Sequence, residues 1–278
     1  MMATEQVRVR ELVAWGLDES PFRPQLDALP LKIERAHNWL AQRDAWVSNQ
    51  PVNRDLQAFA HKLLDQQLDR ADLHFEMKGL DWSIGIVDLR LLIAFQRRLI
   101  FDDHFSHAES PASDDWPALV ALAFGPPIPI TYRKLASNDS ELVLQSENPN
   151  LQIRASARCD HEPFLLHGGS PFFEVAEFRG RWFLRDGYHR AFRLMRVGVV
   201  YCPAIIVRAR TLAELGASQP WFFSEETLFG FHPPRVADFL DDELTIEYNR
   251  PRLFKTLRIT IQESIEPAPF AFLSGEAK

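Results

Sequence analysis

The chain has 278 residues, of which 46% are hydrophobic, 12% aromatic and 25% charged, and a composition this apolar calls for a packed core rather than a disordered chain. Lys and Arg number 31 against 38 Asp and Glu, a net charge of −7, which argues against a protein whose whole surface tracks nucleic acid. Cys159 and Cys202 stand far apart with no CxxC spacing, and no apolar run approaches the roughly 18 residues of a membrane span, so a disulfide framework, a cysteine-built zinc site and a membrane partner are not expected. Charges crowd residues 1–15 where a signal peptide needs its apolar stretch, which points to the cytoplasm.

In chain order, the first third reads as helical. Pro21, Pro24 and Pro30 mark an irregular arm, and few residues then break a helix between Leu31 and Val47, where Ile33, Ala36, Trp39 and Leu40 share a broad apolar face. Asn53 suits an N-cap for a second helix running to about Phe75, with Leu56, Phe59, Ala60, Leu63, Leu64, Leu68 and Ala71 at three- and four-residue intervals. Gly79 is a natural stop. A short strand is expected from Ile84 to Asp88, then a helix to Phe101. Asp102 to Asp115 is polar and rich in turn formers, the best linker.

The second half mixes strands and helices. Gly125, Pro126, Pro127 and Pro129 break the chain before an expected strand from Ile130 to Lys134. Phe173 to Phe178 and Arg181 to Leu184 form a hairpin around Arg179-Gly180. Tyr188 to Val197 reads as a helix and Tyr201 to Arg208 as an apolar strand. Leu244 to Tyr248 and Leu253 to Ile261 suggest a second hairpin, and the tail after Glu266 reads as loosely held. The fold class expected is α+β: a mainly helical region, 1–110, and a mixed domain, 111–278.

The most informative stretch runs from Trp182 to Arg208: strand, tight turn, helix, tight turn, strand. Asp186 or Gly187 occupies the N-cap position, Tyr188, Ala191, Phe192 and Met195 form a buried stripe, and Gly198 closes the helix. Arg190, Arg193 and Arg196 share another face. A helix starting on a glycine turn offers backbone N–H groups at its positive dipole end, a ready anion site, and His189 and Arg190 sit in that first turn. Residues 151–215 hold ten arginines, no lysine and six acids. Arginine favours bidentate contact with phosphate or carboxylate. The same arginines also suit plain ion pairs with Glu174, Glu177 and Asp186.

Asp186-Gly187-Tyr188-His189-Arg190, with a strand before it and a helix, a glycine and a strand bearing Pro203 after it, resembles the ParB/sulfiredoxin-like superfamily over Phe173 to Thr211. That resemblance implies nucleotide-phosphate contact by Gly187, His189 and Arg190. If the site carries out chemistry, His189 and Asp186 are its catalytic candidates, with a magnesium ion bridging phosphate oxygens; fold resemblance does not settle among these roles. Tyr188 stands where sulfiredoxins carry their nucleophilic cysteine, so sulfinic-acid reduction by that route is not expected. No helix-turn-helix follows Arg208, so a DNA partner is disfavoured. The reading is a protein that binds a nucleotide or other phosphorylated small molecule, with phosphoryl-transfer or hydrolase chemistry; its alternative is a non-catalytic interaction module of the same fold.

Weaker signals are set aside. Asp102, Asp103, His104 and His107 include an HxxH spacing without a further ligand, so no protein-built metal site is assigned. Leu166 to Ser170 is similar to the oxyanion loop of esterases, but no G-x-S-x-G turn accompanies it. His161 and His167 read as loop histidines, Cys202 as a core residue, and Asp88 as a structural acid rather than a general base.

Overall fold

The computed structural model describes residues 5–18, 20–47, 49–101, 110–138, 140–148, 150–155 and 164–265. The Asp102–His107 histidine motif, Cys159, His161 and the tail after Glu266 lie outside the described residues. Both helices and sheets are present, as an α+β chain requires. The chain divides into two units, residues 1–128 with 170–252, and residues 129–169 with 253–278. Among the described residues, no helix is long and apolar enough to cross a membrane.

The larger unit begins with strand β1 (Gln6–Leu12), followed by helices α1 (Leu29–Ala41), α2 (Arg54–Leu68) and α3 (Ala71–Glu76). Strand β1 was not expected from the sequence: its partner, β12 (Thr245–Pro251), lies at the far end of the chain. Helix α1 ends at Ala41, short of Val47. Asn53 does cap α2, accepting a hydrogen bond from the Leu56 amide at 3.0 Å. The single helix expected to reach Phe75 is broken at Arg70, whose backbone is extended. Its guanidinium pairs with Asp72 (2.6 Å) and donates to the carbonyl oxygens of Phe124 and Gly125, which holds the break.

Strand β2 (Trp82–Asp88) forms where expected, but the helix after it does not. A 3-10 turn, Leu89–Leu91, is capped by the Asp88 side chain and leads into strands β3 (Ile93–Ala94) and β4 (Arg98–Phe101). Leu92, Ile93 and Ala94 are all fully buried. A run buried on every side has no period, so helix and strand look alike in it. Helix α4 (Trp116–Ala123) completes this part, with Asp115 as its cap.

The second segment of the unit supplies β9 (Glu174–Phe178), β10 (Arg181–Asp186), α5 (Tyr188–Arg196) and β11 (Tyr201–Arg208). Arg179 and Gly180 have φ of 50° and 73°, the paired positive angles of a tight hairpin turn. The strands join β2 and β3 in a five-stranded sheet ordered β2-β11-β9-β10-β3. Helix α5 therefore carries the chain across β9, from its antiparallel neighbour β10 to its parallel neighbour β11. Short helices α6 (Leu212–Leu215) and α7 (Glu225–Phe229) and a 3-10 turn, Val236–Leu240, precede β12. A three-stranded sheet, β12-β1-β4, completes the unit.

The smaller unit has a sheet ordered β13-β6-β5, from β5 (Arg133–Ser137), β6 (Glu141–Ser146) and β13 (Lys255–Thr260). Its other pair is β7 (Gln152–Ala155) with β8 (Phe164–His167). Strand β5 starts three residues later than the sequence suggested. The second hairpin expected around Asn249-Arg250-Pro251 is absent: β12 pairs with β1 and β13 pairs with β6. Both segments are strands, but their partners lie far away in sequence, which local turn chemistry does not show.

Candidate functional site

Helix α5 begins at Gly187, whose φ of 102° is left-handed, and no side chain caps it. A Cβ on Gly187 would stand 2.7 Å from the Phe173 ring, so both the angle and the close approach require glycine. The buried stripe is as the spacing predicts: Tyr188, Ala191, Phe192 and Met195, with Leu194 beside them, while Arg196 is exposed. Tyr188 lies edge-on to Phe95 and Phe239, and Phe192 packs on Phe101 at 5.3 Å. Each large side chain of the stripe stabilises the unit by roughly 1.5–3 kcal/mol on leaving water. The Tyr188 hydroxyl donates to the Leu184 carbonyl at 2.8 Å and accepts from the Phe95 amide at 3.0 Å. Burial raises its pKa, so it stays a neutral phenol that ties α5 to the sheet.

The expected phosphate-contact side chains are already engaged. Arg190 donates to three backbone oxygens: Pro171 at 2.7 Å, Leu122 at 3.1 Å and Phe172 at 2.6 Å. It also faces Asp186 at 3.5 Å and lies over the Phe173 ring. The sequence expectation of a polar-face arginine reserved for ligand is therefore corrected: its guanidinium fastens α5 to the segment before β9, while its charge stays at the helix start. His189 has its Nε2 at 2.9 Å from the Ile100 carbonyl oxygen and its ring edge-on to Phe101. Burial lowers its pKa, and the nearby Arg193 and Arg190 charges push the same way, so the imidazole is neutral at pH 7 and Nε2 is the donor nitrogen.

The relationship that sequence reasoning missed is between Asp186 and Glu174. The register of β10 against β9 sets them opposite one another, across an irregularity after Leu184. Glu174 is only 2% exposed. Its Oε2 pairs with Arg185, whose Nε also reaches the Glu214 carbonyl at 3.1 Å. Its Oε1 is buried with no hydrogen-bond partner. Burial first, and the Glu174 charge second, push the Asp186 carboxyl up to about 7 against the pull of Arg190. The Asp186 side chain nonetheless keeps 38% exposure, so one edge of the pair is open to solvent. A proton-poised carboxyl at a helix start, next to a buried carboxylate oxygen with nothing to accept from, can hold a proton, a cation or a ligand donor. The available sequence signal was an acid inside the apolar run Phe172-Phe173-Glu174-Val175.

The other candidates have structural roles. Asp88 caps the turn at the Arg90 amide and grips the Arg90 guanidinium at 2.6 and 2.9 Å, so it is not a free base. His167 accepts the Gly169 amide at 3.1 Å within the smaller unit. Cys202 is buried, and burial pushes its thiol up to about 12, which removes it as a nucleophile. Among the described residues no three His, Cys, Asp or Glu side chains gather as a metal cage. An open groove of about 620 Å³ on the larger unit is lined by Arg54, His61, Glu177, Trp182 and Arg208, and none of the Asp186–Arg190 residues reaches it. No protein-family model matches the chain, and neither a curated protein nor a solved structure does.

Proposed function

We propose that the Asp186–Arg190 turn holds the phosphate of a nucleotide or another small phosphorylated molecule, and that Glu174 and Asp186 together supply its acid–base or cation-holding chemistry. The observation that carries this reading is the carboxylate pair: a Glu174 oxygen buried without a partner, set opposite the solvent-reaching Asp186 carboxyl by the register of β9 and β10. The glycine-started helix adds its positive dipole end, and Arg185 and Arg190 add two fixed charges beside the acids. The order strand, glycine turn, helix, strand supports a ParB/sulfiredoxin-like arrangement.

Magnesium suits this donor set. It ordinarily takes one or two protein carboxylates and completes its shell with water and phosphate oxygens. Glu174 and Asp186 would hold it, and it would neutralise charge building on a phosphoryl group. The chain's own part is positioning and proton handling. With no cation held, Asp186 is mostly protonated below about pH 7 and can donate that proton, and above it can accept one; with magnesium held, it would act as a ligand and not as the acid. His189, held neutral against Ile100, fixes the helix start rather than shuttling protons.

The second reading, a non-catalytic interaction module, is favoured by a specific observation: His189 and Arg190 both bind backbone carbonyls. Calorimetric titration with purine and pyrimidine nucleotides, with and without magnesium, separates the two. The proposal expects a magnesium-dependent affinity that Glu174→Gln weakens. Absence of binding to the folded wild type at millimolar concentration contradicts it and leaves the interaction module.

A further inference from the structure

The open groove of about 620 Å³ on the larger unit crosses the five-stranded sheet, and the Asp186 turn takes no part in it. Its floor comes from four neighbouring strands, β2, β11, β9 and β10. The register sets Trp182 on β10 opposite Glu177 on β9, and Glu177 opposite Arg208 on β11. Two residues back along β11, Ile206 stands opposite Ser83 on β2. Paired residues share a face, as do residues two apart, so these five lie on one side of the sheet.

Helix α2 forms the wall. Its residues Arg54, Gln57, Ala58 and His61 line the groove at the spacing of a single helix face. Gly85 lets the helix settle onto the sheet. A Cβ there would stand 2.7 Å from Ile206 Cδ1 and 3.4 Å from Gln57 Oε1.

The groove carries both signs of charge. Glu177 is half-buried on an inner strand, so solvent screens its charge less than it would at a rim. Arg54 is the first residue of α2. Neither has an ion-pair partner among the described residues, whereas Arg208 is held by Asp81 at 3.2 Å. Neutral hydrogen-bonding groups are present as well. Gln57 donates its Nε2 to the Ile84 carbonyl at 3.3 Å, which leaves its Oε1 as an acceptor. The Ser83 hydroxyl has no partner among the described residues.

This set of groups selects the ligand. An anion alone would meet Glu177, and a cation alone would meet Arg54 and Arg208. A molecule with an ammonium at one end and a carboxylate at the other satisfies both. N–H and C=O groups along its length suit Gln57 and Ser83. Neighbouring strands lie about 4.8 Å apart, so the three steps from β2 to β10 span about 14 Å, the reach of roughly four extended residues. The volume is that of a small-ligand site.

We propose that this groove binds a short peptide with free termini, its ammonium against Glu177 and its carboxylate against Arg54. The site goes beyond the reading of the Asp186 turn and does not depend on it.

The test is calorimetric titration of the full chain with tetra-alanine and with Ala-Val-Val-Ala, each also N-acetylated and, separately, C-amidated. The expected result is saturable binding of at least one uncapped peptide, weakened roughly 10- to 100-fold by either cap, the loss of one charge-assisted contact. Glu177→Gln should weaken the uncapped peptide to the same degree and change the N-acetylated form little. Arg54→Gln should do the same with the amidated form. If Glu177→Gln does not fold, Arg54→Gln with the amidated peptide is read in its place.

A folded wild type that binds neither uncapped peptide at millimolar concentration overturns the proposal. So do capped peptides that bind as well as uncapped ones. An uncapped affinity unchanged in folded Glu177→Gln or in Arg54→Gln overturns it too, since the peptide would then lie elsewhere.

Discussion

Asp186, at the end of β10, stands opposite Glu174, at the start of β9, whose charge adds to burial in raising the Asp186 carboxyl. The pairing sets a carboxyl that changes charge near neutrality at the start of α5. It also has a stability signature. The folded pKa of Asp186, about 7, lies above its unfolded value, so folding favours the protonated form. Its contribution is fully present below pH 4 and is lost as pH rises to 7. Asp186→Asn cannot ionise, so it should melt higher than wild type at pH 8, with the gain shrinking towards pH 4. Equal differences at the two pH values would show that folding does not raise the Asp186 carboxyl.

Arg190→Ala should damage the fold rather than ligand contact alone. Three carbonyl oxygens, of Leu122, Pro171 and Phe172, lose a charged donor. A loss of about 2–4 kcal/mol is expected in denaturant unfolding, from the usual worth of hydrogen bonds to charged groups. A variant as stable as wild type would mean that the guanidinium is free to serve a ligand.

Gly187→Ala combines a left-handed φ with a Cβ at 2.7 Å from the Phe173 ring. Strain of about 1–2 kcal/mol from the angle adds to about 1–3 kcal/mol from overpacking. The melting temperature should fall sharply, and an unaltered one would contradict the observed approach of α5 to Phe173.

Phe192→Ala removes a side chain that is 6% exposed and packs on Phe101. The expected cost is about 3–5 kcal/mol, measured by urea unfolding. A cost under about 1 kcal/mol would place Phe192 on the solvent face, where the helix register does not put it.

The Cys202 thiol should resist alkylation in the native protein at pH 8 and react once the chain is unfolded, because burial holds it protonated with a pKa of about 12. Rapid native labelling at Cys202, located by peptide mapping, would contradict its placement in β11.

What was legible in the sequence was local. The glycine start, the Tyr188-Ala191-Phe192-Met195 stripe and the Gly198 stop lie within one short stretch, and each reports the same helix. The Arg179-Gly180 hairpin and the apolar strand from Tyr201 were readable for the same reason. The pairing of β1 with β12 was not, because its partners sit at opposite ends of the chain and no turn joins them. Leu92, Ile93 and Ala94, buried all round, carried no period to separate strand from helix. The site was half legible for a related reason. Helix spacing tells which face Arg190 and His189 occupy, but not that Pro171, Phe172 and Ile100 stand there to receive them. Glu174 was visible as a partner for arginine, which it is for Arg185; its meeting with Asp186 needed the strand register.

The central claim, that the Glu174–Asp186 pair is a working centre, is tested most directly by following the Asp186 carboxyl carbon by NMR as pH is varied. The titration is run on wild type and Glu174→Gln, each with and without magnesium and a nucleotide. The account predicts a midpoint near 7 in wild type, moved down when Glu174 is neutralised and down again when magnesium and nucleotide bind. An Asp186 that titrates near 4 in every case, indifferent to Glu174 and to ligand, would contradict it.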